Sequence, residues 1–323
     1  SSIKTASRLQ QTVRPTRITT VQHQKNKKLT GELFRVHRLL LKRYGMRKIK
    51  IVTDSSANIA ALANSDFASA PLKISSEERE FIDDENLNVD EMIEYFDTHK
   101  GKSKTSCPNP SDWIEAFGDA DDIICLSITS GLSGSFNSAR AAKDIYESEN
   151  DGKRVFVFDT LTAGPEIELI AEHADKLIAE NRDFEEICEA IKLYKKKTGL
   201  LFMLESLKNF AANGRISPAI AKITGLLGIR IVGKASDKGT LEPLGKCRGE
   251  TKTLEMIITH LKEFGLSKGR VIISHCKNLA AASQLKEKIE ALMPTVEVAI
   301  SKCRGLCSYY GEKGGLLVGF EKA

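Results

Sequence analysis

Residues 48–57 read KIKIVTDSSA, and the interpretation of the rest of the chain starts from this stretch. Ile49, Ile51 and Val52 make a short β-branched run, which predicts a strand. Asp, Ser and Asn side chains follow at 54–58. They favour a turn and a helix start, because they can accept hydrogen bonds from free backbone N–H groups. The stretch therefore predicts a strand that runs directly into a capped turn.

The same alternation of strand and helix patterns continues to about residue 181. Strand-like runs lie at 67–74, 123–128 and 155–158, and helix-like runs lie at 90–99, 111–117, 133–147 and 165–181. Strands that alternate with helices argue for a parallel sheet covered on both faces. We predict that residues 48–181 form an α/β domain.

Residues 182–323 alternate less regularly. Helices are predicted at 184–197, 217–227, 251–264 and 280–292, and strands at 200–203, 229–234, 240–246, 270–275, 296–300 and 316–320. The second and third of these strands have only the turn SDKG between them, which predicts an antiparallel pair and hence a mixed sheet. We predict that residues 182–323 form a second domain of the α+β class.

The charges of the chain are unevenly distributed. The 323 residues carry 48 Lys+Arg and 43 Asp+Glu, but residues 1–47 alone hold twelve Lys/Arg and one Glu. The remaining chain is mildly acidic, which argues against a nucleic-acid-binding surface on the main body. Residues 1–47 are predicted to be a basic N-terminal extension with a short helix-like run at 33–41. This extension alone could bind a polyanion, although basic tails are more often simply solvated.

Composition and cysteine content indicate the compartment in which the protein is expected. The hydrophobic fraction of 41% supports packed cores, and no run of 18 apolar residues predicts a membrane span. The first ten residues, SSIKTASRLQ, lack the apolar core of a signal peptide. Seven scattered Cys residues do not suggest a disulfide framework. The cytoplasm is therefore the expected compartment.

Two hydroxyl-rich segments carry the chemistry that the sequence suggests. They are 104–111 (KTSCPNPS) and 127–135 (SITSGLSGS), and the second opens directly into a predicted helix. A helix start offers free N–H donors and a partial positive charge, and Gly134 lets an anion approach the backbone. The pattern predicts a seat for a carboxylate or a phosphate. The simpler alternative is that Ser133 only caps the helix.

Other site types are disfavoured by their spacing. Residues 131–135 (GLSGS) lack the last Gly of a G-x-S-x-G elbow, and 311–315 (GEKGG) do not match a P-loop. Cys303 and Cys307 are four residues apart without a second pair, and the His residues lack H-E-x-x-H spacing. We therefore predict no catalytic residue, no metal site and no cofactor.

Several ordered segments resemble those of the DegV family. They are 50–57 (KIVTDSSA), 105–111 (TSCPNPS), 128–139 (ITSGLSGSFNSA), 207–217 (LKNFAANGRIS) and 272–278 (IISHCKN), and the resemblance covers about 48–320. It implies a two-domain fold that holds one long-chain fatty acid between the domains. It also implies a non-catalytic subunit that presents the fatty-acid carboxylate to an ATP-dependent fatty-acid kinase.

The resemblance also implies roles for particular residues. Thr105 and Ser133 match the two carboxylate-binding positions, with Ser106 and Gly134 beside them, and Arg215 matches an Arg near the head group and the kinase-facing surface. The expected ligand is a fatty acid such as palmitate. Its tail needs an apolar tunnel, for which 200–204 (LLFML) and 220–231 are candidates, with ordinary core as the alternative for each.

The chain departs from the family pattern at two places. Many members carry an H-T-G-P-G loop near the head group, whereas residues 303–311 here read CRGLCSYYG. The His is missing, and Cys307 or Ser308 could fill its space. Asn213 stands where the pattern has a second Gly. Both departures bear on the coupling to a kinase more than on lipid binding.

Three functional readings remain open from the sequence. The leading one is a fatty-acid-binding subunit of a fatty-acid kinase. The second is an enzyme that processes an acyl substrate with Ser133. The third is a regulatory module that binds a polyanion through residues 1–47.

Overall fold

The computed structural model describes residues 47–216, 220 and 228–323. Within it, Lys48–Ala323 form one compact unit. The helix-like run at 33–41 and nearly all of the predicted helix at 217–227 lie outside the described residues. The basic extension at 1–47 also lies outside them, apart from Arg47. The domain boundary placed near residue 181 stays a prediction.

The first sheet is parallel throughout, as predicted. It contains β1 (Ile49–Asp54), β2 (Asp66–Ala70), β6 (Asp122–Ser127) and β7 (Arg154–Asp159) in the order β2-β1-β6-β7. Successive residues of each central strand enter opposite cores. Ile51 of β1 packs on one side and Val52 on the other. Helices cover both faces, which explains why the middle of β6, residues 123–126, is apolar at every position.

One face of this sheet is covered by α2 (Pro110–Phe117) and α3 (Ser135–Glu149), with Trp113 and Phe117 fully buried between them and the sheet. The other face is covered by α4 (Pro165–Ala179) and α5 (Phe184–Lys195). Helix α4 also packs against β13 (Leu316–Glu321) of the second large sheet. A Cβ on Gly319 of that strand would lie 2.6 Å from the backbone carbon of Pro165. The missing side chain thus lets helix and strand approach closely.

A small antiparallel sheet was only partly predicted. It has the order β4-β3-β5, with β3 (Lys73–Ser76), β4 (Glu80–Ile82) and β5 (Ser103–Ser106), and α1 (Val89–Thr98) lies between β4 and β5 in the chain. The strand predicted at 67–74 is in fact two strands, β2 and β3, which belong to different sheets. Pro71 lies in the break, and proline cannot donate to a sheet ladder.

The second large sheet is mixed, as predicted. Its order is β10-β9-β8-β13-β11-β12, and β11 and β12 form its parallel pair. One face is buried under helices α7 (Glu250–Glu263) and α8 (Leu279–Leu292). Two short helices were missed by the sequence analysis, α6 (Lys208–Ala212) and α9 (Gly305–Gly311). The strands are β8 (Thr198–Leu204), β9 (Ile229–Ala235), β10 (Leu241–Arg248), β11 (Gly269–His275), β12 (Val296–Lys302) and β13 (Leu316–Glu321).

Side chains of strand β8 enter apolar clusters on both faces of this sheet. Leu201 and Met203 enter the helix-covered core, whereas Phe202 and Leu204 face the opposite way, into a smaller apolar cluster. No helix within the described ranges is both long and apolar enough to cross a bilayer.

Candidate functional site

A cavity of about 260 Å³ lies between the loops that follow strands β6 and β7 and the face of the mixed sheet opposite helices α7 and α8. Ligands of α/β proteins commonly bind outside the carboxyl ends of parallel strands, where these loops lie. Apolar side chains make up much of the wall: Leu72, Ile128, Leu132, Ala163, Leu200, Phe202, Leu204, Phe210, Ala235, Leu241, Leu306 and Leu317.

All five residues singled out from the sequence line this cavity: Thr105, Ser106, Ser133, Gly134 and Arg215. Thr105 and Ser133 are half-buried, and Ser106 and Gly134 are exposed. The fold therefore brings together residues that lie up to 110 positions apart in the chain. Their roles as ligand contacts remain a prediction.

Ser133 is placed just before helix α3, and Gly134 occupies its N-cap position. The Ser133 hydroxyl accepts a hydrogen bond from the backbone N–H of Ser135 at 3.2 Å. Ser133 thus lies one residue before the N-cap and satisfies the first N–H of the helix, which differs from the simple capping role suggested by the sequence. This bond uses only a lone pair of the hydroxyl, so the Ser133 proton is still available for an anionic ligand.

Thr105 lies on β5 rather than in the loop that the sequence suggested. Its Oγ1 lies 2.8 Å from the hydroxyl of Tyr310, and its backbone N–H donates to Oδ1 of Asn213 at 3.2 Å. Tyr310 also lines the cavity. The Thr105 side chain is thus held at the cavity wall by residues more than one hundred positions further along the chain.

Arg215 lines the same cavity and is half-buried. Its Nη1 donates to the backbone carbonyl of Asn213 at 3.1 Å. Among the described residues, no carboxylate lies within ion-pair distance of the guanidinium. The described residues therefore do not support a purely structural role for Arg215 as a member of an ion pair.

Asp54 is the important residue that the sequence analysis missed. Its carboxylate is fully buried and accepts hydrogen bonds from the Ile128 N–H at 2.8 Å and the Ser135 hydroxyl at 2.6 Å. The N–H and hydroxyl of Ser56 donate to its other oxygen. Burial raises the pKa of the Asp54 carboxyl, and these hydrogen bonds oppose that rise. Asp54 thus links strand β1 to both ends of segment 127–135, called the serine-rich loop below.

The sequence contained a signal for part of this role. The T-D-S-S pattern after β1 predicted that Asp54 caps a turn, and Asp54 does accept from Ser56 at the start of the short 3₁₀ helix Ser55–Ala57. The bonds to Ile128 and Ser135 span more than seventy residues, and local spacing could not reveal them.

The hairpin between β9 and β10 packs over the serine-rich loop. A Cβ on Gly239, whose φ is +71°, would lie 1.9 Å from Oγ1 of Thr129. Thr129 is buried, and its Oγ1 accepts from the N–H of Gly131 at 3.0 Å. Glycine is thus required at this position by both backbone conformation and close approach.

Segment 303–311 does not place Cys307 and Ser308 as the sequence suggested. Ser308 donates to the backbone carbonyl of Cys303 at 3.0 Å, and it is absent from the residues lining the cavity. Cys307 lines the cavity, but its Sγ donates to the carbonyl of Ser56 at 3.3 Å. Tyr310, which the sequence analysis did not single out, approaches Thr105 instead.

The two segments suggested as walls of an apolar tunnel are only partly described by the structure. Leu200, Phe202 and Leu204 of the first candidate segment line the cavity, whereas Leu201 and Met203 belong to ordinary core. Most of the second candidate segment, 220–231, lies outside the described residues. Its last residue, Ile231, packs in the same small apolar cluster as Phe202.

Within the described ranges, no three or more His, Cys, Asp or Glu side chains are arranged so that they could hold a metal ion. Cys276, Cys303 and Cys307 form a buried cluster in which all three thiols are free. Burial raises the pKa of the Cys307 thiol well above its usual value. At neutral pH such a thiol stays protonated.

Comparison with known proteins places this fold among related chains. A family model described as "Uncharacterised protein, DegV family" matches residues 48–322. A DegV domain-containing protein of Streptococcus pneumoniae is 41% identical over 276 residues, covering 84% of this chain and 98% of that protein.

Two solved structures are similar over nearly the same range. One is a DegV family protein from Eubacterium eligens loaded with heptadecanoic acid, with a TM-score of 0.83 and 40% identity. The other is the Streptococcus pneumoniae Fatty Acid Kinase (Fak) B3 protein loaded with linoleic acid, also with a TM-score of 0.83 and 40% identity. Each similarity covers 85% of this chain and 100% of the other. With the family model matching residues 48–322, the chain belongs to the DegV family.

Proposed function

We propose that this chain binds one long-chain fatty acid in the cavity between the serine-rich loop and the mixed sheet. The carboxylate lies at Thr105 and Ser133, with Ser106 and Gly134 beside them, and the acyl tail lies along Leu200, Phe202 and the other apolar wall residues. The observation that carries the proposal is this combination, in one cavity, of hydroxyl groups and a largely apolar wall. The fatty acids bound by the two similar structures support it.

The energetics of such a complex are reasonable. A carboxylate in an apolar site costs several kcal/mol unless it is hydrogen-bonded, and the two hydroxyls can meet that need. The tail contributes about 0.8 kcal/mol for each buried CH₂ group. A sixteen-carbon acid such as palmitate would gain on the order of ten kcal/mol before ordering costs are subtracted. No cofactor is needed for binding of this kind.

We further propose that the protein presents the bound carboxylate to an ATP-dependent fatty-acid kinase and does no chemistry alone. The support is its similarity to the fatty acid kinase B3 protein of Streptococcus pneumoniae. In this arrangement residues 48–181 supply the head-group loops and residues 182–323 supply the tail wall. The cytoplasm is the proposed compartment, because free thiols persist in reducing surroundings and all seven Cys residues are free.

The acyl-processing alternative lacks a general base. A serine nucleophile needs an adjacent base within hydrogen-bond reach, and no Asp, Glu or His is among the described residues that line the cavity. The Ser133 hydroxyl instead accepts from a backbone N–H. The polyanion-binding alternative rests on residues 1–47, nearly all of which lie outside the described part of the chain.

Mass spectrometry of an organic extract from the purified protein tests the proposed function. We expect one free fatty acid per chain, released without any covalent link. A covalent acyl adduct on Ser133 would favour the enzyme, and the absence of lipid together with failure to bind added palmitate would contradict fatty-acid binding.

Arg215→Ala is expected to lower acyl-phosphate formation by a cognate kinase about tenfold to hundredfold, the loss expected for one or more charge-assisted hydrogen bonds. Fatty-acid affinity and melting temperature should change little, because Thr105 and Ser133 already serve the carboxylate. Arg215→Lys should rescue poorly, since an ammonium lacks the planar fork that grips phosphate. The measurements are kinase turnover, calorimetric titration and thermal unfolding.

The matched control is Lys246→Ala, which removes an exposed cation on β10. If Arg215→Ala weakens fatty-acid binding as much as it slows the kinase, Arg215 is a direct carboxylate ligand. If it only lowers the melting temperature, its role is structural. Either result would replace the kinase-facing role.

A further inference from the structure

Thr105 and Tyr310 form a hydroxyl pair at the cavity wall. Their oxygens are 2.8 Å apart, and both residues line the cavity. The Tyr310 ring is fixed from two sides, because it stacks on Phe210 at 4.5 Å between ring centroids and meets Tyr309 edge-on at 5.0 Å. The phenol oxygen therefore has a defined position relative to Thr105.

Proton counting distinguishes the two directions in which this hydrogen bond can run. Each hydroxyl has one proton to donate and lone pairs to accept with. If Thr105 donates to Tyr310, Thr105 offers a carboxylate only lone pairs, which repel it, and the proton left free is that of Tyr310. If Tyr310 donates to Thr105, the Thr105 proton is free for the carboxylate. Burial raises the pKa of the Tyr310 phenol, so its proton is retained at neutral pH.

Asn213 fixes the backbone of the same residue. Its Oδ1 accepts from the Thr105 N–H at 3.2 Å, while its Nδ2 donates to the carbonyl of Asn209 at 2.9 Å and to the Tyr309 hydroxyl at 3.0 Å. Donors and acceptors are matched at both ends of the amide, which sets its orientation. Asn213 and Tyr310 lie in the two segments that depart from the family pattern, and both contact Thr105.

We propose that Tyr310 is a positioning residue for the fatty-acid head group: it donates to Thr105 Oγ1, and Thr105 in turn donates its only proton to the bound carboxylate. Asn213 holds the strand so that this relay points into the cavity. The inference rests on the proposed binding of a fatty acid. Hydrogen bonds in such a chain polarise one another, so the Thr105 bond to the carboxylate is strengthened by the bond it accepts.

Tyr310→Phe tests this role, since it keeps the stacked ring and removes only the hydroxyl. We expect palmitic acid to bind about tenfold more weakly, the upper range for one net hydrogen bond, and methyl palmitate to be affected much less. In ¹³C NMR of bound carboxyl-labelled palmitic acid, the carboxyl group should titrate at a higher pH in the variant, because a weakened Thr105 donor stabilises the charged form less.

Tyr146→Phe is the matched control. The Tyr146 hydroxyl is buried and donates to the carbonyls of Gly118 and Ala120, and Tyr146 does not line the cavity. Its loss should lower stability and leave both affinities unchanged. Equal weakening of acid and ester by Tyr310→Phe, or no change in affinity and titration, would overturn the positioning role. If the unmodified protein fails to bind palmitic acid, the proposed function itself fails, and the inference fails with it.

Discussion

Replacing Thr105 with Val and Ser133 with Ala in one protein is expected to weaken fatty-acid binding by a hundredfold or more. A hydrogen bond to a charged group contributes about 1.5–3 kcal/mol, and the double variant removes two such donors. Isothermal titration with palmitic acid measures the loss directly. The fold should persist, because Val matches the shape of Thr and the lost bond from the Ser135 N–H to Ser133 costs only about 1 kcal/mol.

Ser130→Ala provides the control for this variant. Ser130 lies in the same loop as Ser133, but its side chain is exposed and it does not line the cavity. Its replacement should leave the affinity unchanged. If the Thr105/Ser133 double variant binds palmitic acid as tightly as Ser130→Ala does, the carboxylate binds elsewhere.

The sequence was sufficient to predict the framework of the fold. Residues 123–126 of strand β6 form a continuous apolar run, because helices cover both faces of the sheet, and this pattern is visible without a structure. The pair β9 and β10 was visible through its turn residues. The positions of Thr105, Ser133 and Arg215 came from motif resemblance, and the structure places all three on one cavity.

The elements that escaped the sequence analysis are short. Strand β5 reads SKTS, which has neither the alternation nor the apolar content of a typical strand. It pairs with β3 and receives support from Asn213 and Tyr310, both of which are distant in sequence. Helix α9 is only seven residues long. Such elements are stabilised by tertiary contacts, and local propensity carries little information about them.

The contacts that shape the head-group site were hidden for the same reason. Tyr310 meets Thr105 across 205 positions, and Asp54 meets Ser135 across 81 positions. A single sequence records which residues carry hydroxyls, but it does not record which of them meet. The sequence therefore offered Cys307 and Ser308 in place of the missing family His, although the side chain that approaches Thr105 lies two to three residues further along.

Asp54→Ala is expected to lower the free energy of unfolding by about 3–5 kcal/mol, because a buried donor left without its acceptor costs about 1–3 kcal/mol and Asp54 serves several. For a chain of this size the melting temperature should fall by about 10 °C. Removing the carboxylate also removes its own burial penalty, which is why the estimate stays below the sum of the individual bonds. Thermal and urea unfolding measure the loss.

Asp54→Asn keeps the size of the side chain but reduces the number of hydrogen bonds that it can accept. An amide keeps one acceptor oxygen but turns a donor toward either Ser56 or Ile128, so part of the network must break. We expect a stability between those of the unmodified protein and Asp54→Ala. The control is Asp66→Asn, which changes an exposed carboxylate paired with Lys48 and should matter little.

The same variant connects stability to binding. Ile128 lines the cavity and Ser135 begins the helix behind Ser133, and both are held by the Asp54 carboxylate. Asp54→Asn should therefore weaken palmitic acid binding even at temperatures where the variant remains fully folded, although Asp54 does not line the cavity. A folded variant with unchanged affinity would show that the loop keeps its shape without Asp54, and that Ser133 is positioned by helix α3 alone.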